Sequence, residues 1–521
     1  MKTIINPLIV MFALYITFSG CSHSSINPNQ EPENINGVFA DPGTYRIVNY
    51  AGKSNVIRVD GKKTQWAVVK YSLADYIGKE ITIQLSADVR REGASGNLNW
   101  QVNNVSHYPS VSYLENAASG VWHTMSGRLI VTPTNNEPYI YLTNWENNAN
   151  RTTYYIHNPV IIIEEGSSLT PDLTLKPLKS FYENDFLIGN ITDETYMSGK
   201  YFDLFLHHYN SATSTGTYPI MLSQSKGVYQ WEAADRQVNL MLSNNIPVHG
   251  HILVWHESSP AWLTTGTRAQ VEQNMKDYIT AVLTHFKGRI HSWDVVNEAI
   301  RDNLSAAEVS GDWRRCVRDS RNQWYINPWY NRLGADYIEL AFRAARAADP
   351  DIILYYNDYG LENPNKAEVV RKMITDINDR YKRETGGTRN LIEGVGSQAH
   401  IFELKLNINE ARIALEKLIS LGIEISISEL DISTTSYNRG TGRDKVMTEA
   451  DEIAQARYYA KLFNLYREYS AYIKRVTMWG MDDGTSWISS GNPCLFDWRL
   501  NAKKSFYAVS DPDAFLAQYG D

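Results

Sequence analysis

From Phe186 onward the chain alternates short apolar runs with longer amphipathic ones, and it does so eight times. The apolar runs are Phe186–Ile191, Tyr209–Thr213, Pro247–Trp255, His291–Ala299, Ile352–Tyr359, Gly394–His400, Glu424–Ile432 and Val476–Met481. Helical patterns separate them at Glu232–Asn244, Arg268–Lys287, Ala335–Ala348, Lys366–Glu384, Asn409–Leu421 and Thr448–Tyr469, with weaker ones at Lys200–His208 and Asp513–Gln518. Short apolar runs divided by helices are the strands of a parallel sheet, buried on both faces. Eight such units predict an α/β fold, a closed (β/α)8 TIM barrel. An open doubly wound sheet is the alternative, but no glycine-rich phosphate loop follows any of these strands.

The polar residues of these runs gather at one end. His251 and Trp255 close the third run, Asn297 and Glu298 the fourth, Asn357 and Asp358 the fifth. Gln398 and His400 close the sixth, Glu429 and Asp431 the seventh and Trp479 the eighth, with Trp487 shortly beyond. A barrel brings all of these ends to one mouth. A carboxyl there is costly unless it is paired or at work. Taken alone, Glu298 and Glu429 fit two readings, structural ion-pair partners or the acid/base and nucleophile of a glycosidase. The convergence of polar ends favours the second. Retaining cleavage uses two carboxyls about 5–5.5 Å apart, one protonating the leaving oxygen and the other attacking the anomeric carbon. The charge of Glu429 is expected to raise the pKa of Glu298. Residues two apart on a strand share a face, so Gln398 with His400, and Glu429 with Asp431, are expected to point together into the mouth. Asn297 and Gln398 are placed to bond a sugar hydroxyl and the nucleophile, and His400, backed by Asp431, to orient Glu429. No metal or organic cofactor is called for.

The first part of the chain reads differently. Met1-Lys2, an apolar stretch from Ile4 to Phe18, then Ser19-Gly20-Cys21 form a secretory signal that resembles a bacterial lipobox, with Phe18 where Leu is usual. Cys21 is the expected lipidated N-terminus, an ordinary signal peptide the alternative. The expected location is the outer membrane or cell surface of a Gram-negative bacterium. Residues 22–37 are Ser-, Asn- and Pro-rich and read as a tether. Residues 38–165 carry short alternating runs divided by Gly, Pro and Asn, the pattern of an all-β sandwich or jelly roll. Residues 166–180 are a linker and 181–521 the barrel. The net charge of −8 and the lack of a basic run exclude nucleic acid as an expected partner. A monomer is expected, touching the membrane only through its lipid. Of the cysteines, Cys316 and Cys494 read as free thiols, although one disulfide is possible.

Two resemblances follow from particular residues. Leu73, Tyr76-Ile77-Gly78-Lys79, Trp122-His123 and Tyr155-Ile156-His157-Asn158-Pro159-Val160 are similar to jelly-roll carbohydrate-binding modules that accompany xylanases. Trp100, Tyr108 and Trp145 are then candidate sugar platforms, and a ligand-free spacer is the other possibility. The barrel resembles glycoside hydrolase family 10 through Gly250-His251-Ile252-Leu253-Val254-Trp255-His256, Trp293-Asp294-Val295-Val296-Asn297-Glu298-Ala299, Leu354-Tyr355-Tyr356-Asn357-Asp358-Tyr359, Gly394-Val395-Gly396-Ser397-Gln398-Ala399-His400, Ser428-Glu429-Leu430-Asp431 and Trp479-Gly480-Met481-Asp482-Asp483-Gly484-Thr485-Ser486-Trp487. That resemblance implies an endo-β-1,4-xylanase with Glu298 as acid/base and Glu429 as nucleophile. His251, Asn297, Gln398, His400, Trp479 and Trp487 would line the site. The implied partner is a polysaccharide, xylan or a related β-glycan.

The chain departs from the family pattern after the second strand. A Thr-x-Glu-Asn-x-Met-Lys run that grips the sugar upstream of the cut is replaced by Thr213-Ser214-Thr215-Gly216-Thr217-Tyr218-Pro219. The usual Arg before Gly-His is His249. The long aromatic segment Arg301–Gly334, with Trp313, Trp324, Tyr325, Trp329 and Tyr330, either rebuilds the grip or packs on the barrel. Three readings stay open: a xylanase, a glycosidase of another or decorated β-glycan, and a non-catalytic surface glycan-binding protein.

Overall fold

The computed structural model describes residues 38–40, 45–59, 69–93, 96–103, 109–143, 153–165, 170–319, 326–435, 447–488 and 491–520. Cys21 and the tether, Tyr108, Trp145, Trp324 and Tyr325 lie outside the described residues.

The N-terminal part folds as two antiparallel sheets of five strands each. One runs in the order Val38–Ala40, Val69–Ser72, Tyr139–Thr143, Gly96–Val102, Ser110–Ala117. The other runs Tyr45–Tyr50, Lys53–Val59, Tyr154–Glu165, Ile81–Arg91, Trp122–Val131. Alternation does the folding here: Ile81, Ile83, Leu85, Ala87 and Val89 of one strand all turn inward. They meet Leu98, Trp100, Ile140 and Leu142 of the other sheet in one shared core. Three strands escape a sequence reading: Val38–Ala40 has three residues only, and charged and polar residues interrupt the alternation of Lys53–Val59 and Ser110–Ala117.

Trp100 corrects an expectation. Its side chain is fully buried in the sandwich core, so it cannot be a sugar platform.

The rest of the chain closes as a barrel of eight parallel strands: β1 (Leu187–Thr192), β2 (Ser211–Ser214), β3 (Val248–Trp255), β4 (Ser292–Asn297), β5 (Ile353–Asp358), β6 (Gly394–Ser397), β7 (Glu424–Ile432) and β8 (Ile473–Met478). Each strand pairs with its neighbours in sequence, β8 returns to β1, and Gly394–Ser397 pairs with Glu424–Ile427. Helices ring it, and their ends are set by local chemistry. Thr267 and Gln270 form a capping box at Arg268–Phe286, as do Thr448 and Asp451 at Glu449–Glu468. Asn363 caps Pro364–Thr385, which Gly386 ends in the left-handed conformation.

Most strand bounds shift by one or two residues from the sequence reading, and the sixth and eighth differ more. The sixth run breaks at Gln398-Ala399, where Ala399 takes a positive φ of 57°, and resumes as a short strand at His400–Ile401 paired with β7. The eighth ends at Met478, so Trp479 lies just past it. A helix at Lys504–Ser510 was hidden because its apolar residues span barely two turns.

The sandwich docks on the loop that follows β8. The Arg128 guanidinium lies 3.6 Å from the centre of the Trp498 ring, and Arg499 pairs with Glu164 at 2.5 Å. Cys316 and Cys494 are buried and unpaired.

Trp100→Ala is expected to destabilise the sandwich by about 3–5 kcal/mol, the cost of emptying a buried indole site. Urea unfolding of the intact chain measures this; an unchanged transition would return Trp100 to the surface.

Candidate active site

Glu298 sits directly after β4, where its backbone takes a left-handed φ of 56°. A non-glycine residue holds that conformation only when its surroundings impose it. They do: the Glu298 amide donates to the Asn357 carbonyl at 2.9 Å, and Arg318 Nε donates to the Glu298 carbonyl at 3.3 Å. The carboxyl is thereby turned into the mouth, half-buried. It accepts hydrogen bonds from Trp255 Nε1 at 2.9 Å, Gln398 Nε2 at 3.0 Å and Asn297 Nδ2 at 3.1 Å.

Those three donors favour the anion, yet the Glu298 pKa is pushed up to about 7. Burial is the main cause, with Asp358 behind the strand next and Glu429 a smaller one. The expected repulsion from Glu429 is therefore present but secondary. Asp358 is fully buried, ties Tyr356 Oη at 2.5 Å and pairs with Lys366 at 3.0 Å.

Glu429 lies on β7 and is almost wholly buried. Asn357 Nδ2 donates to its Oε1 at 2.7 Å, and His400 Nε2 stands 3.2 Å from its Oε2. The Asn357 amide also donates to Asn297 Oδ1 at 2.9 Å and accepts from Ser428 Oγ at 2.6 Å. It reaches across because β6 has glycine beside it: a Cβ on Gly396 would stand 2.3 Å from Asn357 Oδ1. The amide roles thus differ from the sequence reading. Asn357 serves Glu429, whereas Gln398 serves Glu298.

His400 is the second support. Its Nδ1 stands 2.9 Å from Asp431 Oδ1, and Trp487 Nε1 donates to Asp431 Oδ2 at 2.7 Å. Burial works against a charged imidazole, but Asp431 and then Glu429 outweigh it and push the His400 pKa up to about 10. A cation is thereby held against Glu429 throughout the neutral range.

A third support comes from inside the barrel. His251 Nε2 lies 3.9 Å from Glu429 Oε1, while its Nδ1 stands 2.8 Å from Asp294 Oδ2. His249 Nε2 reaches the same oxygen at 3.0 Å, and its Nδ1 stands 2.7 Å from Ser292 Oγ. Burial and Arg475 push the His249 pKa down to about 4, which favours the neutral ring. Burial opposes charge on His251 too, but Asp294 and then Glu429 raise its pKa. The Arg-to-His departure at His249 is therefore a change in the barrel interior. Asp294, which binds both histidines, is a residue that sequence reasoning missed. A carboxyl inside an apolar run was its only signal.

The rings complete the mouth. Trp479 lies edge-on between His251, 5.5 Å away, and His400, 6.3 Å away. Trp487 stands 4.9 Å from His400. The described aromatics of the Arg301–Gly334 segment pack on the barrel: Trp329 is buried with Nε1 on Ser259 Oγ at 2.7 Å, and Trp313 is buried with Nε1 on Asp376 at 3.0 Å. Among the described residues, His256, Glu257 and Glu298 are the group whose potential metal-ligand atoms lie within 4.8 Å of one another. One of them is the carboxyl whose proton the site retains, which makes it a poor anionic ligand near neutrality.

Asp431→Asn should remove the anion that keeps His400 charged. The His400 pKa is expected to fall from about 10 towards the ordinary value of about 6.5, read by NMR titration of the ring. A ring that still fails to titrate below pH 9 would contradict this account.

The comparisons with known proteins bear on this geometry. The model of glycosyl hydrolase family 10 matches residues 177–512. The chain is similar to endo-1,4-beta-xylanase C of Paenibacillus barcinonensis, 33% identical over 385 residues, which are 69% of this chain and 33% of that protein. It is also similar to a beta-1,4-xylanase of Dictyoglomus thermophilum, 31% identical over 345 residues, 65% of this chain and 91% of that one. The first five relatives are longer proteins of which the chain spans 33–42%. Among solved structures, a bacterial Ig-like domain containing xylanase from termite gut superposes with a TM-score of 0.60 at 31% identity, covering 82% of this chain and 95% of that one. Xylanase XynB of Paenibacillus barcinonensis, complexed with a conduramine derivative, gives 0.57 at 29%, covering 65% and 98%. The chain belongs to glycosyl hydrolase family 10.

Proposed function

We propose that the chain is a retaining endo-β-1,4-xylanase whose upstream sugar site is altered. The observation that carries the reading is the contrast between two carboxyls at one mouth. Glu298 keeps its proton to about pH 7, while Glu429 is surrounded by an amide donor and two histidines whose pKa values its own charge helps to raise. Such a pair suits a general acid and an anionic nucleophile. Glu298 gives its proton to the leaving oxygen while Glu429 attacks the anomeric carbon. The glycosyl-enzyme neutralises Glu429, the Glu298 pKa falls, and Glu298 then takes a proton from the attacking water. The xylanase names of the relatives support xylan as the substrate class. The Thr215, Gly216, Thr217 turn offers few charged contacts, so decorated or otherwise altered β-glycans fit this reading better than plain linear xylan.

Xylan digestion with product analysis tests it. Glu429→Ala should abolish turnover, and the first product seen by proton NMR should keep the β configuration. The pH profile gives a sharper check. The acid is competent only when protonated, so kcat/KM should fall as pH rises through about 7. Glu298→Gln should show a rate lower by about 10²–10⁴-fold without that alkaline limb. A limb unchanged in the variant would remove Glu298 from the role.

We also propose export and anchoring through Cys21. Its support is the apolar stretch before Ser19-Gly20-Cys21. Membrane fractions should hold the protein, and Cys21→Ala should release it; a soluble unmutated protein would exclude the anchor.

A further inference from the structure

The turn after β2 is built as a rigid bracket. Gln237, buried on a neighbouring helix, accepts from Ser214 Oγ at 2.9 Å and from the Gly216 amide at 3.1 Å. Thr215 Oγ1 donates to the Thr192 carbonyl at 2.8 Å. Thr217 is buried; its hydroxyl stands 2.7 Å from the His251 carbonyl and accepts from the His251 amide at 3.1 Å. A Cβ on Gly216 would stand 2.8 Å from Gln237 Oε1, so a side chain there would displace the amide that ties the turn. The polar side chains of this turn are thus spent on the barrel, and none reaches towards a sugar by these contacts.

What the bracket presents to the mouth is Tyr218. It is half-buried, with its ring 5.4 Å from His251 and 6.1 Å from Trp255. These neighbours locate it. His251 lies against Glu429, and Trp255 donates to Glu298, so Tyr218 borders both halves of the carboxyl pair. Exposed Ile220 and Met221 follow it on the short helix Pro219–Leu222.

We propose that Tyr218 is a specificity-determining residue that holds the sugar upstream of the cleaved bond through its ring face. This rests on the glycosidase reading above. The chemistry differs from a grip by charged groups. An aromatic face packs on the C–H face of a pyranose and leaves the hydroxyl edge unread. Substituents on that edge, such as arabinosyl groups, then meet no charged contact that they would have to displace. The ring supplies affinity, and the choice between bare and decorated chains is relaxed.

The test uses the full chain with xylohexaose and an arabinosyl-decorated xylo-oligosaccharide. Tyr218→Ala should lower kcat/KM by about 10-fold or more on both substrates, carried by KM, with kcat within about threefold. Tyr218→Phe keeps the ring and should stay within about threefold of the parent on both. Three results overturn the proposal: a Tyr218→Ala loss under threefold, a loss carried by kcat alone, or a Tyr218→Phe loss as large as that of Tyr218→Ala. The last would assign the contact to the hydroxyl. A parent chain that cleaves neither substrate sinks the xylanase reading instead. Calorimetric titration with xylohexaose then reads the same ring contact, as a 10-fold weaker affinity in Tyr218→Ala if the proposal holds and an unchanged affinity if it fails.

Discussion

Closure of the parallel sheet is the constraint on which everything else here depends. When Gly394–Ser397 pairs with Glu424–Ile427, the last open edge disappears and eight strand ends meet in one ring. Glu298 and Glu429 are 131 positions apart in the chain (429 − 298), yet closure places them in one hydrogen-bonded network. The interior must then be filled without overcrowding. Large side chains from one strand take the space left by glycines on the next: Trp293 lies where a Cβ on Gly250 would stand 2.4 Å from its ring, and Asn357 where one on Gly396 would. The same packing that closes the barrel therefore carries the Asn357 amide to Glu429.

The polar interior is costly, and the molecule meets that cost by pairing. Asp294, Asp358 and Asp431 are all buried, and each holds a partner of opposite charge or a donor. What differs between Glu298 and Glu429 is the company they keep. Glu298 faces neutral donors and has a buried acid behind it, so burial prevails and the proton stays. Glu429 faces two imidazoles, each backed by its own aspartate. The charge state of the pair thus rests on residues one layer below the surface, such as Asp294, Asp358 and Asp431.

The sandwich reaches this site through the loop after β8. That loop carries Trp487, which holds Asp431, and Trp498, on which Arg128 of the sandwich lies. Ahead of both in the loop, Asp482 accepts from Gly484 and from Thr485, whose hydroxyl in turn meets Tyr196. An aromatic ring covered by guanidinium groups gives more than exposed ion pairs such as Arg499 with Glu164, which water and salt weaken.

Periodicity alone carried a reader far. Eight apolar runs, their helices and the polar residues at their ends were legible because burial on both faces writes continuous hydrophobic strands, and because a barrel has only one mouth. Glu298, Glu429 and His400 with Asp431 could be marked from residue type and position, and the replaced turn at Thr213–Pro219 only from the resemblance to the family. Tertiary structure decided the rest, since each of the remaining points depends on which groups meet across strands. Trp100 reads as an aromatic of unknown side until the two sheets face each other and bury it. Gln398 and Asn357 are both amides at strand ends, and only the break at Ala399 and the gap at Gly396 settle which one serves which carboxyl. The Glu298 pKa could be expected to rise, but its main cause is burial, a property no residue carries by itself. Tyr218 looked like part of a lost motif; the hydrogen-bonded bracket beneath it is what sets its ring at the mouth. A sequence states which groups are present and at what spacing, whereas distance, dielectric and partner come only with the closed fold.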